Sequence, residues 1–234
     1  MNFLQGVQAL WLESGSSGTY PGVSTVVSQT GENARLVHWY NQAYKDIQTA
    51  HQDWGWMRTT ASFTTVAGTA EYTLGTGAGT VGVSVATFGM WARNTARAYL
   101  TATGTDSEIA LAWIPYEQWR DTYQLGAQRG ANSPPTVFSI APNKSICLPP
   151  TPAGYTVTVD YFTAPVDLDT TDDTDTPPMP AQYHMAIVYR ALMFYGAFEA
   201  APEVYDRGET EFGKLMRRLD ADRLPEMTFA GPLV

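Results

Sequence analysis

MPAQYHMAIVYRALMFYGAFEA, Met179 to Ala200, is the stretch on which the fold turns. Its apolar residues follow a helical period but cover almost the whole circumference. A helix this apolar has to be packed on several sides. It falls short of the run of about 18 apolar residues that a membrane span needs, so it is expected to be buried on all sides by the chain or spread across a partner. Pro177, Pro178 and Pro180 deliver the backbone into it, and AAPEV, Ala200 to Val204, ends it. A second helix is expected from Pro202 to about Arg223, with Val204, Tyr205, Phe212, Leu215, Met216 and Leu219 on its inner face.

Further partners lie near the N-terminus. Residues 3 to 13 form a short amphipathic segment in which Phe3, Val7, Leu10 and Trp11 recur at helical spacing. SGSSGTYPG, Ser14 to Gly22, stops it. Residues 32 to 53 give the clearest helix, with Leu36, Tyr40, Ala43, Tyr44, Ile47 and Ala50 on one face. At 1.5 Å per residue it spans roughly 33 Å.

Between these helical ends the period changes to two. WGWMRTTASFTTVAG reads as extended, with Trp54 and Trp56 on one face of a strand. AEYTL, ARAYLTAT and EIALAWI are further strands, separated by turn-rich stretches such as GTGAGT. After Pro115 a short helical turn places Tyr116, Trp119 and Tyr123 on a shared face. TVFSIA and SICL, joined at Pro142 to Lys144, form a hairpin pattern, and YTVTVDYF closes the set. The order predicts an α+β fold: a bundle of about four helices from residues 1–53 and 180–234, with an antiparallel β-sandwich or barrel-like block, 54–179, inserted between them.

Apolar residues make up 44% of the 234-residue chain and charged residues 16%, which marks a folded protein. Trp 7, Tyr 13 and Phe 9 are enough to fill a core and leave some for contact surfaces. The net charge of −9 argues against a protein that grips nucleic acid, since phosphate binding needs clustered Lys and Arg. It does not argue against a protein that lets DNA slide past, because a negative surface repels phosphates and prevents sticking. The single cysteine, Cys147, excludes an internal disulfide and points to a reducing compartment. MNFLQGVQALWLESG lacks the basic start and long apolar run of a signal peptide, so synthesis in the cytoplasm is expected.

No stretch carries a catalytic signature. His38, His51 and His184 show no metal-ligand spacing. No GxSxG surrounds any serine. Cys147 lies in a predicted strand and reads as a small buried residue. GTGAGTVGV, Gly75 to Val83, has the composition of a phosphate loop without its GK[ST] or following helix. Asp167, Asp169, Asp172, Asp173 and Asp175 offer hard oxygen ligands, but the segment lacks the glycine and terminal glutamate of a calcium loop, and a solvated acidic loop is the simpler reading. No cofactor, metal or small-molecule substrate is expected.

Three pieces in order resemble the head-to-tail connector proteins of tailed phages, also called adaptor, head-completion or neck proteins. They are WYNQAYKDIQTAHQDWGWMR, then IPYEQWRDTYQLG with PPTVFSIAPNKSICLPPTPAGYTVTVDYF, then DTPPMPAQYHMAIVYRALMFYGAFEAAPEVYDRGETEFGKLMRRLDAD. The similarity covers roughly Glu32 to Asp222. It implies a non-enzymatic virion protein, assembled in the host cytoplasm, that forms a ring of twelve copies beneath the portal protein. Such a ring binds tail, stopper or terminator proteins on its other side and lets DNA pass without specific binding. It also implies a C-terminal tail that reaches along the portal, here carrying Leu224, Pro225, Met227, Phe229, Leu233 and Val234. Trp54, Trp56, Tyr116 and Trp119 are candidates for packing between helices and β block or between subunits. Two other readings compete. A tail terminator or tube subunit would hold more sheet and fewer flanking helices. A wall-degrading or carbohydrate-binding virion protein would need two carboxylates facing one cleft.

Overall fold

The computed structural model describes residues 1–15, 22–130 and 132–223. The chain divides into two compact units: Met1–Met57 with Pro165–Val234, which is helical, and Arg58–Ala164, which is built on sheets. Each is described by itself.

In the helical unit, α1 (Phe3–Glu13) starts with a capping box. The Asn2 carboxamide oxygen accepts from the Gln5 backbone N–H at 2.9 Å, and the Gln5 side chain accepts from the Asn2 N–H at 3.0 Å. Then come α2 (Gly31–Ala50), α4 (His184–Phe198) and α5 (Pro202–Arg223). The apolar stretch that opened the analysis is α4, and α1, α2 and α5 all pack against it. Ala186, Ile187, Val188, Ala191 and Leu192 are fully buried as a result. The helix begins five residues later than its apolar pattern. Pro177, Pro178 and Pro180 hold the entry extended, and Ala181–Tyr183 makes one 3-10 turn first.

The α4–α5 pair is a close antiparallel hairpin. A Cβ on Gly196 would lie 2.7 Å from the Tyr205 nitrogen, and one on Gly208 would lie 2.9 Å from the Tyr189 carbonyl oxygen. Only glycine lets the two backbones approach this far. The turn between them is a Schellman motif: the Ala201 N–H donates to the Gly196 carbonyl at 2.9 Å, with Ala200 left-handed at φ 54°. Pro202 then takes the first position of α5, where no N–H is needed.

The segment 165–180 belongs with the helices rather than with the inserted block, so the division falls at Ala164/Pro165 where composition placed it at 179/180. The reason is two buried amide side chains of α2. Asn41 donates to the Leu168 carbonyl at 3.0 Å and accepts from the Leu168 N–H at 2.7 Å. Gln48 does the same for Val166, at 2.8 and 3.1 Å. Each amide acts as one rung of a strand pair, satisfying backbone groups that have no ladder of their own. The other division lies at Met57/Arg58 rather than 53/54. Trp54 and Trp56 are not on a strand: Gly55–Met57 is a 3-10 turn, and the strand begins at Arg58. The buried Trp54 indole donates to the Ile47 carbonyl at the end of α2 at 2.9 Å, and this bond folds the segment back.

In the sheet unit, one sheet runs β1 (Arg58–Thr64), β9 (Tyr155–Thr163), β4 (Arg97–Leu100), β5 (Ile109–Ala110), with β3 (Phe88–Trp91) also on β9. The second runs β2 (Glu71–Tyr72), β8 (Ile146–Cys147), β7 (Val137–Ile140), β6 (Ala112–Trp113). Ala61, Phe63, Ala98, Val157 and Val159 from the first sheet and Tyr72, Phe138 and Ile146 from the second share one core. This is the arrangement of a sandwich. EIALAWI divides into β5 and β6, which pair in different sheets. One pair departs from the antiparallel expectation: β6 and β7 are parallel, with Ala112 opposite Val137. The chain between them passes through α3 (Tyr116–Tyr123), and a crossover of that length permits parallel pairing.

Candidate functional site

Among the described residues no group of His, Cys, Asp or Glu is arranged to hold a metal ion, and no helix is long and apolar enough to cross a membrane. Cys147 is fully buried in β8, and burial pushes its thiol up to about 12, far from the range of a nucleophile. His184 is buried at the start of α4 with its Nε2 2.9 Å from the Met179 carbonyl oxygen. His51 lies 3.3 Å from Asp220 and edge-on to Trp54. What the fold presents is a set of surfaces.

The most distinct surface is the acidic loop of the helical unit. Asp169 and Asp172 each accept from the backbone N–H and hydroxyl of the threonine two residues on, at 2.7–2.8 Å. These bonds hold both carboxyls below their usual range, so both are ionised at neutral pH. Asp173 accepts from the Val26 N–H at 2.6 Å and the Thr25 hydroxyl at 2.9 Å. Asp175 accepts from the Asp169 N–H at 2.8 Å, and its carbonyl takes the Phe3 N–H at 2.7 Å. Asp167 pairs with Lys45 at 2.8 Å. Three of the five aspartates therefore tie the loop to α1, to α2 and to the 22–30 segment, which no sequence motif announced. A groove of about 670 Å³ runs between the loop and α2, lined by Val26, Gln29, His38, Gln42, Lys45 and Thr170 among others.

The four aromatic candidates do not form one cluster. Trp54 and Trp56 stack at 4.3 Å in the helical unit. Tyr116 and Trp119 stack at 5.8 Å in the sheet unit, where α3 covers the outer face of β7 and β8 through Trp119, Ala141 and Cys147. Beside α3 runs a groove of about 570 Å³ lined by Glu71, Tyr116, Arg120, Gln124, Leu125 and Arg129. Leu224, Pro225, Met227, Phe229, Leu233 and Val234 lie outside the described residues.

An aromatic patch that sequence reasoning passed over lies where α2 meets the end of α4. Phe198 is 54% exposed, Trp39 lies 5.5 Å from it, and the Arg35 guanidinium sits 4.6 Å over its ring. The signal was present in the apolar girth of Met179 to Ala200, which exceeds what three neighbouring helices cover.

The comparison with protein families matches residues 6–233 to the SU10 adaptor protein. No curated protein matches the chain. The match spans both units, and it agrees with the resemblance read from the sequence. The chain belongs to the SU10 adaptor protein family, phage adaptors with a structural role in the virion.

Proposed function

We propose that this adaptor forms a ring of twelve copies beneath the portal protein, joins the capsid to tail, stopper or terminator proteins, and lines a channel through which DNA passes. The family match over residues 6–233 carries this reading. Two features support it. The net charge of −9 repels phosphate, as a conduit requires, so DNA moves past without being held. The described residues carry surface patches on both units, and a ring needs two different patches on each subunit. The protein works in the virion neck after assembly in the host cytoplasm. It acts without catalysis, cofactor, small substrate or membrane.

The apolar tail, Leu224, Pro225, Met227, Phe229, Leu233 and Val234, is assigned to the portal. Co-sedimentation of the full chain with portal rings tests both statements. The full chain is expected to pellet with the rings, and a chain lacking 224–234 is expected to stay folded and remain in the supernatant. Absence of binding by the full chain, together with hydrolysis of purified peptidoglycan, would replace the adaptor ring with a wall-degrading protein.

A further inference from the structure

Apart from Gln182 and Tyr183, which bond to Asp222 and to the Arg218 carbonyl, the side of α5 turned away from α4 has few partners among the described residues. Arg217 and Arg218 are exposed there, and among the described residues no carboxylate lies within ion-pair distance of either. Every other described Lys or Arg side chain has a carboxylate, a carbonyl oxygen or an aromatic ring against it. In a chain with 23 acidic and 14 basic residues, two cations left unpaired side by side mark a face turned away from the rest of the unit.

The opposite charge lies on the opposite flank. α5 packs along α4, and ion pairs link it to α1 through Arg207 with Glu13 and to the end of α2 through Asp220 with His51, while Gln182 and Tyr183 bond to it near its C-terminus. The 167–175 loop is held instead by α2, by the start of α1 and by Val26. α1 and α2 therefore stand between the loop and α4, and α4 stands between them and α5. Among the described residues, Lys45 is the one cation paired with the five loop carboxylates. Asp169 and Asp172 are exposed and have only threonine hydroxyls and backbone N–H groups as partners. Among the described residues no ion pair joins the two patches within one copy.

We propose that the Arg217–Arg218 face of α5 docks on the 167–175 loop of a second copy of this chain. The contact is head to tail, and it rests on the ring reading given above. A two-fold contact through either patch would set like charges against each other, which costs rather than stabilises. A heterologous contact pairs opposite charges at every joint and repeats around a ring. DNA is the weaker fit for this face. Asp220 and Asp222 lie within five residues of both arginines, and a backbone grip uses more cations than two.

Charge exchange tests the joint. Assembly of the full chain is followed by mass photometry, alone and on portal rings, with circular dichroism to check each variant's fold. Arg217→Glu with Arg218→Glu should raise the concentration needed for assembly by more than about tenfold. Asp169→Arg with Asp172→Arg should do the same, and Asp169→Asn with Asp172→Asn, which keeps an oxygen for each threonine, should weaken assembly less. Mixing the two charge-reversed proteins should restore rings, because each basic loop then meets an acidic α5. Reversed variants that assemble like the wild type, or a mixture that stays monomeric while wild type assembles, would overturn the joint alone. Loss of duplex-DNA binding in the arginine variant with unchanged assembly would overturn it in favour of a DNA contact. A wild-type chain that never self-associates, alone or on portal rings, would overturn the ring reading and the joint with it.

Discussion

The two units solve the same problem with different chemistry. The sheet unit joins distant residues through backbone ladders: β1 and β9, about 100 residues apart, pair from Arg58 opposite Phe162 to Thr64 opposite Thr156. The helical unit cannot do this, because an α-helix spends its backbone groups locally. Apart from the backbone bonds of Phe3 and Leu4 to the 173–175 segment, it ties its ends together with side chains: Asn41 and Gln48 to the 166–168 backbone, Asp173 to Val26, Arg190 to Asp46. Arg190 donates twice to one Asp46 oxygen, at 2.9 and 2.7 Å. One unit should therefore fail at single polar side chains, and the other at its core.

The largest effect is expected where the helical unit has no room. Gly208→Ala puts a Cβ 2.9 Å from a backbone carbonyl and 3.0 Å from Met193, and should cost about 3 kcal/mol or unfold the α4–α5 pair. Gly213→Ala on the same helix meets nothing within 4 Å and should instead stabilise by about 0.5–1 kcal/mol. Urea denaturation of both variants reads the contrast, and equal effects would break the close-approach account.

Next comes the amide clamp. Asn41→Leu leaves the Leu168 N–H and carbonyl unpaired in a buried position, and should lower stability by about 2–3 kcal/mol. Tyr72→Phe in the sheet unit removes a hydroxyl that accepts from the Val66 N–H, and should cost about 1 kcal/mol. A larger loss for Tyr72→Phe than for Asn41→Leu would reverse the comparison.

Cys147 sharpens it, because it reports on the sheet unit alone. Its thiol should resist alkylation until that unit opens, so labelling in rising urea times the opening. The folded thiol titrates at about 12 against an ordinary 9.0. An unfolded chain therefore releases its proton first as pH rises, and stability is fully present below about pH 9 and declines from there towards 12. Cys147→Ser removes that part of the alkaline decline, which thermal melts across the range can measure.

The smallest effect is at Ala200, which holds a left-handed φ of 54° at the end of α4. Ala200→Gly relieves that strain and should raise stability by no more than about 1 kcal/mol, since glycine also loses more entropy on folding.

Most elements were legible because their periods are intact. Phe3–Glu13, Gly31–Ala50 and Pro202–Arg223 lie within a few residues of the spans their apolar spacing predicts. Trp54 and Trp56 misled, since two residues of the same face spacing fit a strand as well as a short 3-10 turn. The parallel β6–β7 pair was hidden, because a two-residue strand has no period. Composition places the 165–179 segment in the inserted block, as a solvated acidic loop running into prolines. Its attachment depends on Asn41 and Gln48, which resemble any polar residue on a helix until the backbone they bind is in place. The surfaces were legible only in part. The five aspartates stood out by composition, whereas Arg217 and Arg218 become notable only once every other described cation has found its partner.

The most direct measurement is electron microscopy of portal rings incubated with the purified full chain. The adaptor reading predicts a collar on one face of the portal, with the portal's own symmetry and a continuous central channel. Bare portals at saturating protein, or isolated copies bound without symmetry, would contradict it.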